Sequence, residues 1–152
     1  MSYKSVLVSV LTFGLASAAM AAGSESTSVP KASQPTVYEQ GVQAVESGAY
    51  GRALPLLNKV VRSEPRHADA WNYIGFSHRQ LKAFDDALAA YQKALAIDRN
   101  HRGANEYLGE LYLMMGDVAK AKERLQRLDE ACTFGCKEYD ELKAAIKAHE
   151  SG

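Results

Sequence analysis

The sequence predicts an all-α fold: a solenoid of three helix-turn-helix repeats followed by a C-terminal capping helix. Three features carry that expectation. The chain matches itself when shifted by 34 residues, without insertion, over three copies at 34–67, 68–101 and 102–135. Packing-type residues recur at helical spacing within a copy, as Trp71, Ile74, Gly75 and His78 do at i, i+3, i+4 and i+7. Ala, Leu, Lys, Glu and Arg, all favourable in helices, dominate the last two-thirds of the chain. Hydrophobic residues at 47% and charged residues at 24% suit a globular domain rather than a disordered chain. Lys plus Arg and Asp plus Glu number 18 each, so no field of one sign exists to recruit nucleic acid or an anionic membrane.

The N-terminal segment stands apart from the repeats. Lys4 precedes an apolar run from Val6 to Leu15, and the small residues Ala16 to Ala22 follow, with only Met20 large among them. Ala19-Met20-Ala21 fits the small-x-small rule for cleavage after Ala21 or Ala22, so residues 1–22 read as a secretory signal peptide. A retained anchor is the alternative, since the uncharged stretch Ser5–Ser24 is just long enough to span a bilayer, although Ser, Thr and Gly dilute it. No cysteine follows the apolar run to take a lipid. Cleavage would leave 17 basic and 18 acidic residues, a protein exported to the periplasm or secreted, and no membrane segment. Residues 23–33, rich in Ser, Thr, Pro and Ala, read as a flexible leader.

Helices are expected at about 35–47, 50–63, 67–81, 84–97, 101–115 and 118–131, with a seventh at about 136–149. In register, Gly41, Gly75 and Gly109 align, as do Ala53, Ala87 and Ala121. Their small side chains let neighbouring helices approach closely. Pro65 ends the first copy, because proline neither continues a helix nor lets its predecessor do so. Asp98 and Asn100 suit the turn that ends the second. In the last helix, within 136–152, Tyr139, Leu142, Ala145 and Ile146 would pack back on the third repeat. Lys137, Glu138, Asp140, Glu141, Lys143 and Lys147 would face water, as a solenoid cap requires.

These residues resemble the tetratricopeptide repeat, whose 34-residue unit carries Trp, Leu, Gly, Tyr, Ala, Phe, Ala and Pro at fixed places. The second copy matches best, with Trp71, Ile74, Gly75, His78, Ala87, Tyr91 and Ala94, and Arg99 at the proline place. The first keeps Gly41, Ala53 and Pro65 but has Val37 at the Trp place; the third keeps Leu108, Gly109, Tyr112 and Ala121 but has Asn105 there. The resemblance implies that the first helix of each repeat lines a concave groove for an extended peptide or a partner helix. It assigns the groove to Tyr38, Val42, Val45 and Glu46, then Asp69, Asn72, Phe76, Arg79 and Gln80, then Glu106, Glu110, Leu113 and Met114. Val42, Phe76, Leu113 and Met114 would form an exposed apolar patch, unless Leu113 and Met114 pack on the cap. Phe76 and Arg79 are good anchor types, and Asn72 could pair with a peptide backbone. The family's carboxylate clamp is not expected. Tyr38 and Val42 replace its Lys and Asn, and Gly103 and Tyr107 its further basic residues. Implied overall is a small exported bacterial interaction module with a protein or peptide partner.

Cys132-Thr133-Phe134-Gly135-Cys136 leaves three readings open. One is a structural disulfide, which export permits and for which Gly135 would break the helix. Another is thiol redox exchange, although that chemistry ordinarily uses Cys-x-x-Cys in a βαβ setting. The third is metal binding by the pair together with His149, a spacing like that of a zinc finger but lacking a fourth ligand. A periplasmic thiol-redox or metal-handling protein is thus the alternative function. Lys137 stands where covalent haem attachment needs His, and no cofactor is implied. No phosphate loop, HExxH motif or spaced triad occurs, so no catalytic residues are assigned and the chain is not expected to be an enzyme.

Overall fold

A computed structural model describes residues 34–152. The signal-peptide and leader readings, 1–22 and 23–33, lie outside the described residues. Seven helices occupy the described part: α1 Val37–Glu46, α2 Tyr50–Ser63, α3 Ala68–Gln80, α4 Phe84–Ile97, α5 Arg102–Met114, α6 Val118–Ala131 and α7 Lys137–Ser151. No strand occurs among these residues. The fold is an all-α helical repeat. The second helices begin at Tyr50, Phe84 and Val118, each one full repeat after the last, and α3 and α5 keep the same interval.

Local chemistry explains the helix ends. Thr36 starts α1 with a reciprocal cap: the Glu39 amide donates to its hydroxyl at 3.2 Å, and its own amide donates to the Glu39 carboxylate at 2.7 Å. His67 and His101 do the corresponding job for α3 and α5, their Nδ1 atoms accepting from the Ala70 and Ala104 amides at 3.3 and 3.1 Å. They therefore sit just before these helices rather than inside them. Each first helix ends in the same left-handed turn. Gly48, Lys82 and Gly116, one repeat apart, have φ of 72°, 61° and 80°. The amide after each, in Ala49, Ala83 and Asp117, donates to the Ala44, His78 and Tyr112 carbonyls at 2.8, 2.9 and 2.8 Å. The turn between copies closes on Asp98, which accepts from the Asn100 amide at 2.9 Å. Pro55 lies inside α2 and cannot donate to Gly51, but both residues are exposed, so water can serve that carbonyl.

The repeating small residues set the helix spacing. Ala53, Ala87 and Ala121 have no accessible surface. A Cβ on Gly41 would stand 2.8 Å from Leu57, and one on Gly75 would stand 2.6 Å from the Tyr91 ring. Gly109 departs from this pattern, because its close neighbour is Leu142 of α7, at 2.5 Å from the same hypothetical atom. The cap therefore enters the glycine face of the last repeat. Buried side chains form three successive clusters: around Leu57 and Ile74, around Tyr91 and Leu111, and around Leu128 and Leu142. Each joins neighbouring elements of the array, as expected of a quasi-one-dimensional solenoid. α1 touches α3 and α3 touches α5, whereas α2, α4 and α6 do not reach one another. The first helices thus make the tighter, inner layer. α7 packs on α5 and α6, placing Tyr139, Leu142, Ala145 and Ile146 against the third copy as expected.

The Trp place is filled three ways, two of them with one hydrogen-bond logic. Trp71 Nε1–H donates to the Pro65 carbonyl at 2.9 Å, and the Lys93 ammonium lies 4.2 Å from its ring centroid. One repeat later, Asn105 Nδ2 donates to the Arg99 carbonyl at 3.1 Å and to that of His101 at 3.0 Å. Arg99 is the counterpart of Pro65, so a buried amide restores the same bond without the indole. Val37, with no polar side-chain atom, cannot make this bond at the corresponding place in α1.

Candidate partner groove on the inner layer

An aromatic lane runs across α1, α3 and α5. Tyr73 and Phe76, at i and i+3, project from the same side of α3. The Phe76 ring lies 5.9 Å from Tyr50 and 5.0 Å from Tyr107, and Tyr38 lies 6.4 Å from Tyr73 and 4.5 Å from the His67 ring. Between them opens a cleft of about 320 Å³ lined by Val45, Glu46, Tyr50, Tyr73, Phe76 and Tyr107. Burial holds the Tyr38 and Tyr107 phenols up at about 12, with nearby carboxylates adding to it: Asp69 for Tyr38, and Glu106 for Tyr107. Tyr73 is raised for the same reasons, first by burial and then by Glu46 and Asp69. These three phenols stay neutral at physiological pH.

Arg79 closes the lane on one side. Its guanidinium lies 5.3 Å from both the Phe76 and Tyr107 centroids and forms an ion pair with Glu110. It is only 8% exposed, and its Nε has no hydrogen-bond partner among the described residues. Beyond it lies a second cleft of about 560 Å³, lined by Arg79, Glu110, Leu113, Met114, Ala145 and His149. Glu106 is buried at 5% exposure. Its carboxyl is pushed up to about 8, first by burial and then by repulsion from Glu110, Glu141 and Glu138. The fold therefore holds its proton more tightly than an ordinary carboxyl does.

The structure thus brings Tyr38, Val45, Glu46, Phe76, Arg79 and Glu110 onto or beside one lane, with Val42 half-buried one helical turn before Glu46 on α1. Other expected groove residues lie elsewhere. Leu113 follows the alternative of packing on the cap: it is 7% exposed and packs with Leu142 and Ile146 of α7. Met114 remains half exposed, so the apolar patch is interrupted rather than continuous. Asn72 is 5% exposed and fits against Gly103, which has no Cβ to obstruct it; it presents almost no surface to a peptide backbone. Its Oδ1 is without a partner among the described residues. Glu106 is likewise turned inward, beside the α7 carboxylates Glu138 and Glu141. Asp69 stays exposed and meets His101 Nε2 at 3.0 Å, and Gln80 lies at the end of α3.

Tyr50, Tyr73 and Tyr107 also line the cleft, although the sequence reading assigns none of them to it. The signal was present: Tyr73 and Tyr107 are one repeat apart, and Tyr107 stands at a groove place in the clamp comparison. A tyrosine's residue type does not say whether its hydroxyl or its ring faces the groove, and here the rings form the floor.

Cys132 and Cys136 are bonded to each other, with Cα atoms 5.7 Å apart, and Gly135 between them takes φ 83°. Phe134 at the tip of this loop is fully exposed. His149 lies near the far end of α7, roughly 20 Å along the helix from Cys136 at about 1.5 Å per residue, so it does not join the pair as a ligand. Among the described residues no group of three His, Cys, Asp or Glu side chains is placed to hold a metal ion.

Comparison with known proteins agrees with this architecture. Two tetratricopeptide-repeat family profiles match, one at residues 38–102 and one at 78–146. Cellulose synthase operon protein C of Escherichia coli K12 is 39% identical over 59 residues, 39% of this chain and 5% of its own length. The peroxisomal targeting signal receptor of Komagataella phaffii is 32% identical over 94 residues, 61% of this chain and 16% of its own. The chain therefore spans only a small part of either relative. Among solved structures, PcrH in complex with the chaperone-binding region of PopD superposes with a TM-score of 0.68 at 16% identity, covering 76% of this chain and 89% of that one. The Yersinia enterocolitica chaperone SycD in complex with a YopD peptide gives 0.65 at 17%, covering 76% and 87%. The first repeat domain of Spaghetti (RPAP3) bound to an HSP90 peptide gives 0.65 at 20%, covering 74% and 89%. With two family profiles spanning both ends of the array, and helices that recur at the interval of the sequence repeat, the chain belongs to the tetratricopeptide-repeat family.

Proposed function

We propose that this chain is a non-catalytic interaction module that binds an extended segment of another protein along its inner layer. The carrying observation is the aromatic cleft lined by α1, the start of α2, α3 and α5, where tyrosine and phenylalanine rings are presented on helices. Large aromatic side chains bury much area at low entropic cost, which is why they anchor interfaces. The complexes of PcrH with a region of PopD and of SycD with a YopD peptide are precedents in the same fold. Tyr38, Val42, Phe76, Arg79 and Glu110 would contribute along the lane, while Asn72, Glu106 and Leu113 would act from beneath it by positioning α5 and α7. The test is recovery of partners by immobilised wild-type chain and by Phe76→Ala, with helicity checked for both. The variant is expected to lose the recovered partners; equal recovery contradicts the groove.

The site of action in this reading is the periplasm or the medium. The apolar run Val6–Leu15 followed by Ala19-Met20-Ala21 supports export, and the paired Cys132 and Cys136 suit an oxidising compartment. N-terminal sequencing of the exported protein should begin at Ala22 or Gly23. A full-length chain retained in the membrane fraction would contradict cleavage. The disulfide in this reading fixes the start of α7 and has no exchange role. Intact mass before and after reduction and alkylation should show both thiols only after reduction.

A further inference from the structure

The charges around the aromatic cleft are unevenly distributed. Glu46 lines the cleft directly, is exposed, and takes part in no ion pair among the described residues. Asp69, also exposed, lies close enough to Tyr73 and Tyr38 to act on both phenols. No Lys or Arg stands among the residues that line the cleft. The cation beside it, Arg79, is buried, paired with Glu110, and already stacked against the Phe76 and Tyr107 rings. That stacking illustrates the geometry with which these rings take a guanidinium. Beyond the two rings that Arg79 meets, the lining holds the Tyr50 and Tyr73 side chains and an unpaired carboxylate, and no Lys or Arg. Aromatic faces with a carboxylate at the rim attract a cation twice over, through ring quadrupole and Coulomb attraction. The same arrangement repels an acidic segment.

Resting on the groove reading above, we propose that this cleft holds a lysine or arginine side chain of the bound segment, so that the partner sequence is basic where it crosses α1 and α3. An adjoining apolar side chain of the same segment would lie on Phe76. A flanking second contact would fall in the cleft beyond Arg79, beside Met114 and Ala145. The occupant is thus an extended peptide with a cation next to an apolar residue.

The test uses immobilised full chain and a phage-displayed library of random peptides of about twelve residues, long enough when extended to cross the inner layer. Wild-type selections should be enriched in Lys or Arg beside an apolar residue. Selected peptides, made synthetically, should bind Glu46→Lys roughly tenfold more weakly than wild type, and a Lys→Gln or Arg→Gln peptide should lose a similar factor. Binding should also weaken with added salt. Glu46 is exposed, so the variant should keep the wild-type melting temperature, which is measured alongside. Selected peptides without Lys or Arg, or peptides indifferent to neutralisation of their cation, overturn the cation assignment. The groove reading then still stands if Phe76→Ala abolishes their binding. Selections no richer than a bare support, or binding untouched by Phe76→Ala, overturn the groove reading itself and this inference with it.

Discussion

Lys82 occupies a backbone position that Gly48 and Gly116 fill in the neighbouring copies. A Cβ in the left-handed region is disfavoured, while glycine adds unfolded-state entropy, so the two effects partly offset. Lys82→Gly should stabilise the domain by about 0.5–1 kcal/mol, read by denaturant midpoint; a loss of stability would mean that the lysine side chain makes contacts that matter more. Glu106 makes a prediction of another kind. Its carboxyl is raised from 4.5 to about 8, so the folded state holds the proton more tightly than the unfolded chain. Its contribution is complete below the unfolded value and is lost as pH rises towards about 8. Glu106→Gln should therefore gain stability relative to wild type progressively between about pH 5 and about pH 9, in parallel denaturation curves. A constant difference across that range contradicts the assignment. Neither feature is readable from residue type alone. The Lys82 turn can be inferred from alignment with Gly48 and Gly116, but the environment of Glu106 depends on α7, which has no counterpart in the repeat.

Among the helices, glycine and alanine set how closely neighbours pack. Gly75→Ala would drive a Cβ into the Tyr91 ring, which is fully buried, and should cost about 1–3 kcal/mol in a chemical denaturation series. Leu142→Ala should cost about 2–5 kcal/mol, because the side chain is fully buried against Gly109 at the centre of the last cluster. Amide exchange should show the Leu142→Ala loss concentrated in α5, α6 and α7, with α1 and α2 protected as before, since each copy contacts only its neighbours. Uniform loss would indicate one cooperative unit. Second-helix bounds are legible to the residue because Tyr50, Phe84 and Val118 repeat without insertion. The sequence pattern sets first-helix starts one or two positions early, because Thr36, His67 and His101 adjoin helix formers and act as caps. The register also explains why Leu113 is lost to the groove: its counterpart Arg79 stands beside the lane, whereas Leu113 is covered by the non-repeating cap.

For the whole molecule, the architecture separates two jobs. The outer helices α2, α4 and α6 and the small residues beneath them hold the copies at fixed spacing, and the inner helices present one aromatic lane with acidic edges. The repeat is plain in the sequence because its period is long and unbroken. The lane is only half legible, since periodicity places Tyr73 and Tyr107 in equivalent positions without saying that the Tyr107 ring meets Phe76 across the layer. Distance between repeats, not spacing within one, makes the site. Whether the inner layer is the binding surface can be read from chemical-shift mapping of the isotopically labelled chain, titrated with a peptide taken from its own selections. Shifts should be centred on Glu46, Tyr50, Tyr73, Phe76 and Tyr107, and reach Met114 and Ala145 where the segment continues past Arg79. Shifts centred on α2, α4 and α6, or on the exposed Phe134 loop, would contradict an inner-layer site.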